Sequence, residues 1–421
     1  MKIAIFGSTL QAEVMAALLS EYGNFVFWVD CSSTQSDAMP MLQYHDEEVS
    51  RRLKKQRESQ RLNTVTLDDI PLDVDVYFFC YSPVELFLAK TTLEMLSKRP
   101  IIHPKLMING STFGLHGTRQ LQILLPKDRW VYFPDVIQEG NAINSVLSVK
   151  HVIVGVEDES SKVIIRELLR PFFRQQNQYL FMPILDAEFT KLSISGMLAT
   201  RISYINDLAV VAEKLGIDIA NIQQGMGADT RIGSTYLSAG VGFGGENFSH
   251  DILTLSSAVS SSGMKSRLLE QVWEINEHQK EILFRKLWRY YHSDLKNKTI
   301  TIWGAAFKVN SSSVHNSPVH VMLNALWAQG VHVKLHDPQA LQEIYDIYGA
   351  REDLTLSTDP YEAAKNADAL CVITAWKQYH SPDFKKLKQL MKHPLLLDGR
   401  NIYDPHFVRA QGFAYEGIGR A

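Results

Sequence analysis

Twice along this chain a short apolar, β-branched run passes into a helical segment and then into another apolar run. That alternation limits the possible folds more than any other feature. The first instance opens the sequence with KIAIF (2–6), then Gly7, then LQAEVMAALLSEY (10–22) and FVFWVD (25–30). Val14, Ala17, Leu18 and Leu19 fall at helical spacing, whereas the flanking runs are short and β-branched. Strand, tight turn, helix, strand and terminal acid form the opening of a Rossmann-type unit. Further strands are expected at 74–80, 100–108, 129–134 and 148–155, so the alternation runs to about residue 183. It restarts at 298 with KTITIWG, SPVHVMLNALWAQG, HVKLHDP, DALCVITAW and PLLLDGRN. Such a pattern specifies a mostly parallel sheet covered by helices on both faces.

The middle of the chain reads differently. DAEFTKLSISGMLATRISYINDLAVVAEKLG, from 186, is long, has few breakers and is apolar around much of its circumference. A helix of that kind is buried between domains or between subunits. A second long helix, amphipathic, is expected from about Ser266 to Tyr291. At 421 residues the chain also exceeds the size at which a single core keeps growing. The expected fold class is α/β, with two Rossmann-like doubly wound parallel-sheet domains, 1–185 and 296–421, joined by a helical region, 186–295.

Composition narrows the function. A formal net charge of -3 lacks the basic excess of a nucleic-acid binder. The one dense basic run, Arg51, Arg52, Lys54, Lys55, Arg57 and Arg61, is interleaved with Glu47, Glu48 and Glu58, which reads as a solvated helix face; a phosphate or partner surface is the minority reading. The three cysteines, Cys31, Cys80 and Cys371, form no CxxC pair and read as reduced, buried thiols of a cytoplasmic protein. There is no leader-like N-terminus and no run of 18 apolar residues, so no membrane partner is expected.

Dinucleotide turns use glycines so that backbone amides can approach a pyrophosphate at a helix N-terminus. Here the turn is GSTLQA (7–12): Gly7 holds the first glycine position, Thr9 the second and Ala12 the third. Thr9 places a β-branched side chain where the phosphate would approach. Asp30 ends the second strand, where an acid binds ribose hydroxyls. The turn by itself leaves two readings open, NAD binding and a Rossmann-shaped domain without NAD. For NAD, the candidate contacts are Gly7, Thr9, Leu10, Asp30, Ser82, Thr112 and His315.

The stretch GMGADTRIGSTYLSAGVGFGGENFSHD (225–251) resembles the substrate loop of the UDP-glucose/GDP-mannose dehydrogenase family. ATRISYINDLAVVAEKLGIDIANIQQGMG (199–227) is similar to the family's central dimerisation helix, and WGAAFKVNSSSVHNSP (303–318) to the opening of its UDP-binding domain. LLLDGRNIYDP (395–405) and FPDVIQEGNAI (133–143) resemble two further segments, in the family's order. The resemblance implies a UDP-sugar or related nucleotide sugar as ligand, NAD as cofactor and a homodimer through the 186–227 helix. It implies a reaction in which C6 of the sugar is oxidised from alcohol to carboxylate by two hydride transfers, the second through a cysteine-bound thioester.

Residue by residue, the nucleophilic cysteine of that loop is replaced by Asn247, whose amide forms no thioester. Lys191 matches the lysine that steadies an oxyanion at C6, Ser195 stands at an asparagine position, and Asp251 matches an acid that orients water. Thr112 matches a water-binding threonine, Asp135 replaces a glutamate, and Glu139 is unchanged. On the binding side, Arg231 matches an arginine that crosses the dimer interface. Tyr236, Gly242, Phe243, Gly244 and Gly245 match the loop around the sugar and diphosphate, and Lys308 and Arg400 match two cations near the nucleotide sugar. Ser312, Ser313 and His315 replace an acidic pair and an arginine.

Plainer roles remain open for several of these. Lys191 could be a surface lysine, and Asp251 could cap a helix starting at DILTLSSAV. His250 reads as a surface or loop histidine. Asn247 is either a loop residue of an inactive site or a hydrogen-bond donor to a sugar. The glycines of 240–245 suggest close backbone approach to a ligand. Two functions follow: an NAD-dependent nucleotide-sugar oxidoreductase limited to an alcohol–aldehyde step, or a non-catalytic nucleotide-sugar-binding homologue.

Overall fold

The computed structural model describes residues 1–29, 46–99, 106–175 and 178–420. Asp30 and Cys31 therefore lie outside the described residues. The chain divides into two compact units, Met1–Ile194 and Ser195–Ala421. The division falls inside one 32-residue helix, Ile184–Leu215.

The first unit is built on eight strands: β1 Lys2–Phe6, β2 Phe25–Val29, β3 Leu62–Val65, β4 Val76–Phe79, β5 Leu106–Asn109, β6 Trp130–Tyr132, β7 Val152–Val156 and β8 Tyr179–Met182. Their order is β3-β2-β1-β4-β5-β6-β7-β8, so the first six follow the order of a doubly wound dinucleotide domain. All neighbours pair in parallel except β6 with β7. Alternate side chains serve opposite faces. Ile3, Ile5, Val76 and Phe78 join one core, while Ala4, Phe6, Tyr77 and Phe79 join the other. A strand covered on both faces needs apolar residues at consecutive positions, and IAIF after Lys2 and VYFF meet that requirement. β3 was not expected from the sequence; LNTV is short and half polar, as suits the edge of a sheet.

The second unit carries six parallel strands: β9 Thr299–Trp303, β10 His332–His336, β11 Leu354–Ser357, β12 Ala369–Val372, β13 Leu395–Asp398 and β14 Ala414–Gly417. Their order, β11-β10-β9-β12-β13-β14, repeats the doubly wound arrangement. The expected long helix over 266–291 is divided into Arg267–Lys280 and Ile282–Tyr290, meeting at Glu281. Its second part is anchored by the buried Lys286, whose ammonium lies 2.7 Å from both carboxylate oxygens of Glu213. Among the described residues no helix is long and apolar enough to cross a membrane.

Candidate functional site

In the first unit, the turn after β1 is shaped by steric necessity. Gly7 has φ +102°, and a Cβ there would lie 2.1 Å from the Cys80 carbonyl oxygen. Thr9 caps the helix Leu10–Glu21: its hydroxyl accepts the Ala12 N–H at 3.3 Å and donates to the Cys80 carbonyl at 2.9 Å. The threonine side chain thus satisfies one of the amides that an open glycine turn would present to an anion. Leu10 begins that helix and is buried, and the Ser82 amide donates to Glu85 Oε2 at 2.8 Å.

Thr112 is buried just beyond β5. Asp135 turns back on its own loop, its Oδ1 accepting the Ile137 N–H at 3.0 Å, and Glu139 follows partly exposed. Lys191 is buried on the long helix, which disposes of the surface-lysine reading. Three residues earlier stands Glu188, which the sequence reading missed. Its carboxylate accepts the N–H groups of His116 at 2.7 Å and Thr118 at 2.8 Å, and burial raises its pKa above the ordinary carboxylate value. It thereby satisfies the start of the short helix Gly117–Gln122, which lacks a side-chain cap of its own.

In the second unit, the helix Glu246–Ser261 begins directly after Gly245. Asn247 sits exposed in its first turn. Asp251 is fully buried one turn further on, so it is interior to the helix rather than its cap. Ser195 Oγ donates to Asp251 Oδ2 at 2.6 Å. His250 is helical rather than in a loop, with its ring within reach of the Thr254 hydroxyl.

The glycine loop leading to this helix is held from behind by side chains. Asn206 Oδ1 accepts the Gly240 N–H at 2.9 Å, and Gln279 Nε2 donates to the Gly240 carbonyl at 2.7 Å. The Asn276 carboxamide accepts the Phe243 N–H at 2.8 Å and donates to the Phe243 carbonyl at 3.1 Å. The Phe243 ring is buried against Phe248 and Trp273. A Cβ on Gly242 would meet Asn276 Oδ1 at 2.7 Å; on Gly244, the Asn316 carbonyl at 2.5 Å; on Gly245, the Phe307 ring at 2.8 Å. The close approach that these glycines permit is therefore, at these atoms, to the protein itself.

Two further polar groups complete the backing. Lys280, nearly fully buried, donates to Asn316 Oδ1 at 2.7 Å and Glu277 Oε1 at 2.8 Å, and burial lowers its pKa against the opposing pull of Glu277. Asn316 in turn donates to Ser249 Oγ at 2.8 Å. Asn276, Gln279 and Lys280 all lie on the helix Arg267–Lys280, and no motif in the sequence singled them out.

Arg400 divides its guanidinium between two carbonyls, Ile373 at 2.6 Å and Gly242 at 3.1 Å. Burial lowers its pKa to about 10, opposed by Asp398, and it stays a cation at neutral pH. Lys308 lies 5.4 Å from the Phe307 ring centroid. His315 is exposed, and its carbonyl accepts the Gly245 N–H at 2.9 Å. Arg231 is exposed and paired through Nε and Nη2 with Asp229. Tyr236 has φ +59°, and its ring is tilted 6.4 Å from that of Phe248.

Comparison with known proteins adds the decisive observation. Residues 1–173 match the NAD binding domain of the UDP-glucose/GDP-mannose dehydrogenase family, 185–278 its central domain and 301–405 its UDP binding domain. The chain is 32% identical over 447 aligned positions to a UDP-glucose 6-dehydrogenase of Pseudomonas aeruginosa, covering 100% of this chain and 98% of that one. This chain belongs to the UDP-glucose/GDP-mannose dehydrogenase family. A second family relative, a UDP-glucose 6-dehydrogenase of Bacillus subtilis, is 30% identical across 100% of this chain and 93% of its own. The family fold recurs in a UDP-glucose dehydrogenase of Pyrobaculum islandicum, with a TM-score of 0.88 at 21% identity, covering 100% of this chain and 98% of that chain. Membership confirms the resemblance drawn from 225–251 and the two-sheet architecture expected from the strand pattern.

Proposed function

We propose that this protein is a nucleotide-sugar oxidoreductase that binds a UDP-sugar and NAD and takes the oxidation at the sugar C6 no further than one hydride transfer. The observation that carries this reading is Asn247, exposed in the first turn of its helix, at the position that the resemblance of 225–251 aligns with the family's nucleophilic cysteine. A carboxamide adds to no aldehyde as a covalent handle. No described cysteine can substitute. Cys80 and Cys371 are buried in the sheet cores, where burial raises both thiol pKa values and disfavours the thiolate.

The turn around Gly7 stands where a doubly wound domain receives a dinucleotide. It lies at the carboxyl end of β1, beside the point where the strand order reverses, and opens onto a helix N-terminus. Gly7, Thr9, Leu10, Ser82, Thr112 and His315 are the described residues assigned to NAD, which supplies the hydride acceptor when bound. Thr112, Asp135, Lys191, Ser195 and Asp251 are the groups assigned to the chemistry. Lys191, buried on its helix, would donate to the C6 oxygen and stabilise negative charge developing there as its proton leaves. The hydrogen bond from Ser195 keeps the Asp251 carboxylate in one orientation. Glu139, Arg231, Tyr236, Lys308 and Arg400, with the glycine loop, are assigned to the nucleotide sugar.

A homodimer belongs to the same reading. Phe189, Met197, Tyr204, Val211 and Leu215 recur at seven- or eight-residue and then four-residue steps along the long helix, and all are exposed. An apolar stripe of that length is covered by a second copy.

One observation favours a binding-only homologue. The Thr9 hydroxyl already occupies the Ala12 amide and is tied to the Cys80 carbonyl, so an approaching pyrophosphate meets a capped helix. Titration with UDP-glucose and NAD, followed by turnover with both, decides between the two. The enzyme reading expects both to bind, at most one NADH per sugar and no UDP-glucuronate. Two NADH per sugar would overturn the limit set by Asn247, and sugar binding without NAD binding would leave the binding-only protein.

A further inference from the structure

The loop that carries Arg231 and Tyr236 is organised by a residue outside it. Arg201, partly buried on the long helix, spreads three donors over three carbonyls of that loop: Nη1 to Ile232 at 3.0 Å, Nη2 to Gly233 at 2.7 Å and Nε to Thr235 at 2.8 Å. Convergence of three carbonyls on one point is unfavourable unless a cation gathers them, and the planar fork of arginine can reach all three at once. Each carbonyl is met by a different nitrogen of the fork, whereas the three donors of a lysine ammonium share one nitrogen, which cannot stand at all three places.

Two consequences are visible in the loop. The residue directly after Thr235 is Tyr236, whose φ of +59° is a left-handed conformation that a bulky side chain rarely adopts. Arg201 fixes the carbonyl on the near side of that strained position. On the far side Leu237 is buried, so the backbone is pinned at both ends of Tyr236. At the other end of the loop, the Ile232 and Gly233 amides both return to the Asp229 carbonyl at 2.9 and 2.8 Å. The Asp229 carboxylate holds one edge of the Arg231 guanidinium, while 86% of the Arg231 side chain remains exposed. The loop therefore displays a fixed cation and an aromatic ring, with its strain sustained from the helix.

We infer that Arg201 is a positioning residue for nucleotide-sugar binding: it holds the 229–238 loop in the strained form that presents Tyr236 and Arg231. This rests on the nucleotide-sugar reading proposed above. Arg201 itself need touch no ligand. Its guanidinium is spent on carbonyls, and its effect reaches the sugar through the geometry of its neighbours.

The test is calorimetric titration of UDP-glucose and NAD into the wild-type protein, Arg201→Lys, Tyr236→Ala and the double variant, with thermal midpoints for all four. Arg201→Lys is expected to weaken UDP-glucose binding about tenfold or more, the scale of losing hydrogen bonds from a charged donor. NAD affinity should stay unchanged. Tyr236→Ala is expected to weaken UDP-glucose binding in the wild-type background and to have a much smaller effect in the Arg201→Lys background, where the ring is already displaced. Wild-type affinity in Arg201→Lys overturns the inference. Additive losses, or an equal fall in NAD affinity together with the thermal midpoint, also overturn it, because they mark a role in general stability. A wild-type protein that takes up no UDP-glucose overturns the nucleotide-sugar reading, and this inference with it.

Discussion

Ser195 Oγ donates to Asp251 Oδ2 at 2.6 Å, joining two helices through a pair of buried side chains. The carboxylate is fully buried, so each donor it accepts offsets part of its desolvation. Ser195→Ala removes a donor and leaves the buried carboxyl oxygen in place. It is expected to cost about 1–3 kcal/mol of stability, read as a lower urea midpoint at unchanged slope. An unaltered midpoint would show that the bond contributes nothing.

Replacing the carboxamide with sulfur tests the chemical limit directly. Asn247 is exposed at the start of its helix, where a thiol would gain acidity from the helix N-terminus. On the proposed reading, Asn247→Cys should raise the yield from at most one NADH per UDP-glucose to two, with release of UDP-glucuronate. NADH stoichiometry with mass spectrometry of the product is the measurement. No change in stoichiometry would place the block elsewhere in the site.

The glycine loop predicts a severe substitution. Gly245 combines φ +92° with a Cβ position 2.8 Å from the Phe307 ring, so Gly245→Ala adds backbone strain and a clash at one point. A loss of about 2–4 kcal/mol is expected, combining the left-handed penalty with overpacking. Gly263, with φ +83° and nothing near its Cβ position, provides the control: Gly263→Ala should show the backbone cost alone, about 1–2 kcal/mol. Equal losses at the two positions would mean that the Phe307 contact does not matter.

Glu188 should give stability a pH dependence of definite sign. Burial raises its folded-state pKa above the ordinary 4.5, with the His116 and Thr118 amides opposing the shift. Between those two values the folded protein holds more protons than the unfolded one. Its contribution is therefore full below about pH 4.5 and is lost as the pH rises through the folded value. Glu188→Gln should remove this slope from urea midpoints measured across that window. It should also cost about 1–3 kcal/mol, because one amide hydrogen then faces a backbone N–H. A variant that keeps the wild-type slope would assign the pH dependence to another group.

Much of the fold was legible because it depends on local patterning. IAIF and VYFFC are apolar at consecutive positions and TITIW is β-branched and almost wholly apolar, as suits strands covered on both faces, and both sheets formed where those runs predicted. Short half-polar edge strands such as LNTV were invisible for the same reason. The division at Glu281 was equally hidden, since the apolar spacing on either side of it suits one continuous helix. In the site, the helical register of Asp251 and His250 escaped notice because the glycine run masked the helix start at Glu246.

The linear order of residues determined the two-sheet architecture and the family, because periodicity and residue identity are properties of neighbours along the chain. Only the tertiary structure decided that Asn276 clasps Phe243 across 33 positions, that Ser195 meets Asp251 across 56, and that Arg201 gathers a loop more than 30 residues away. Those pairings depend on which helix faces pack together, and a polar side chain carries no mark in sequence of whether it will face water or a buried carbonyl.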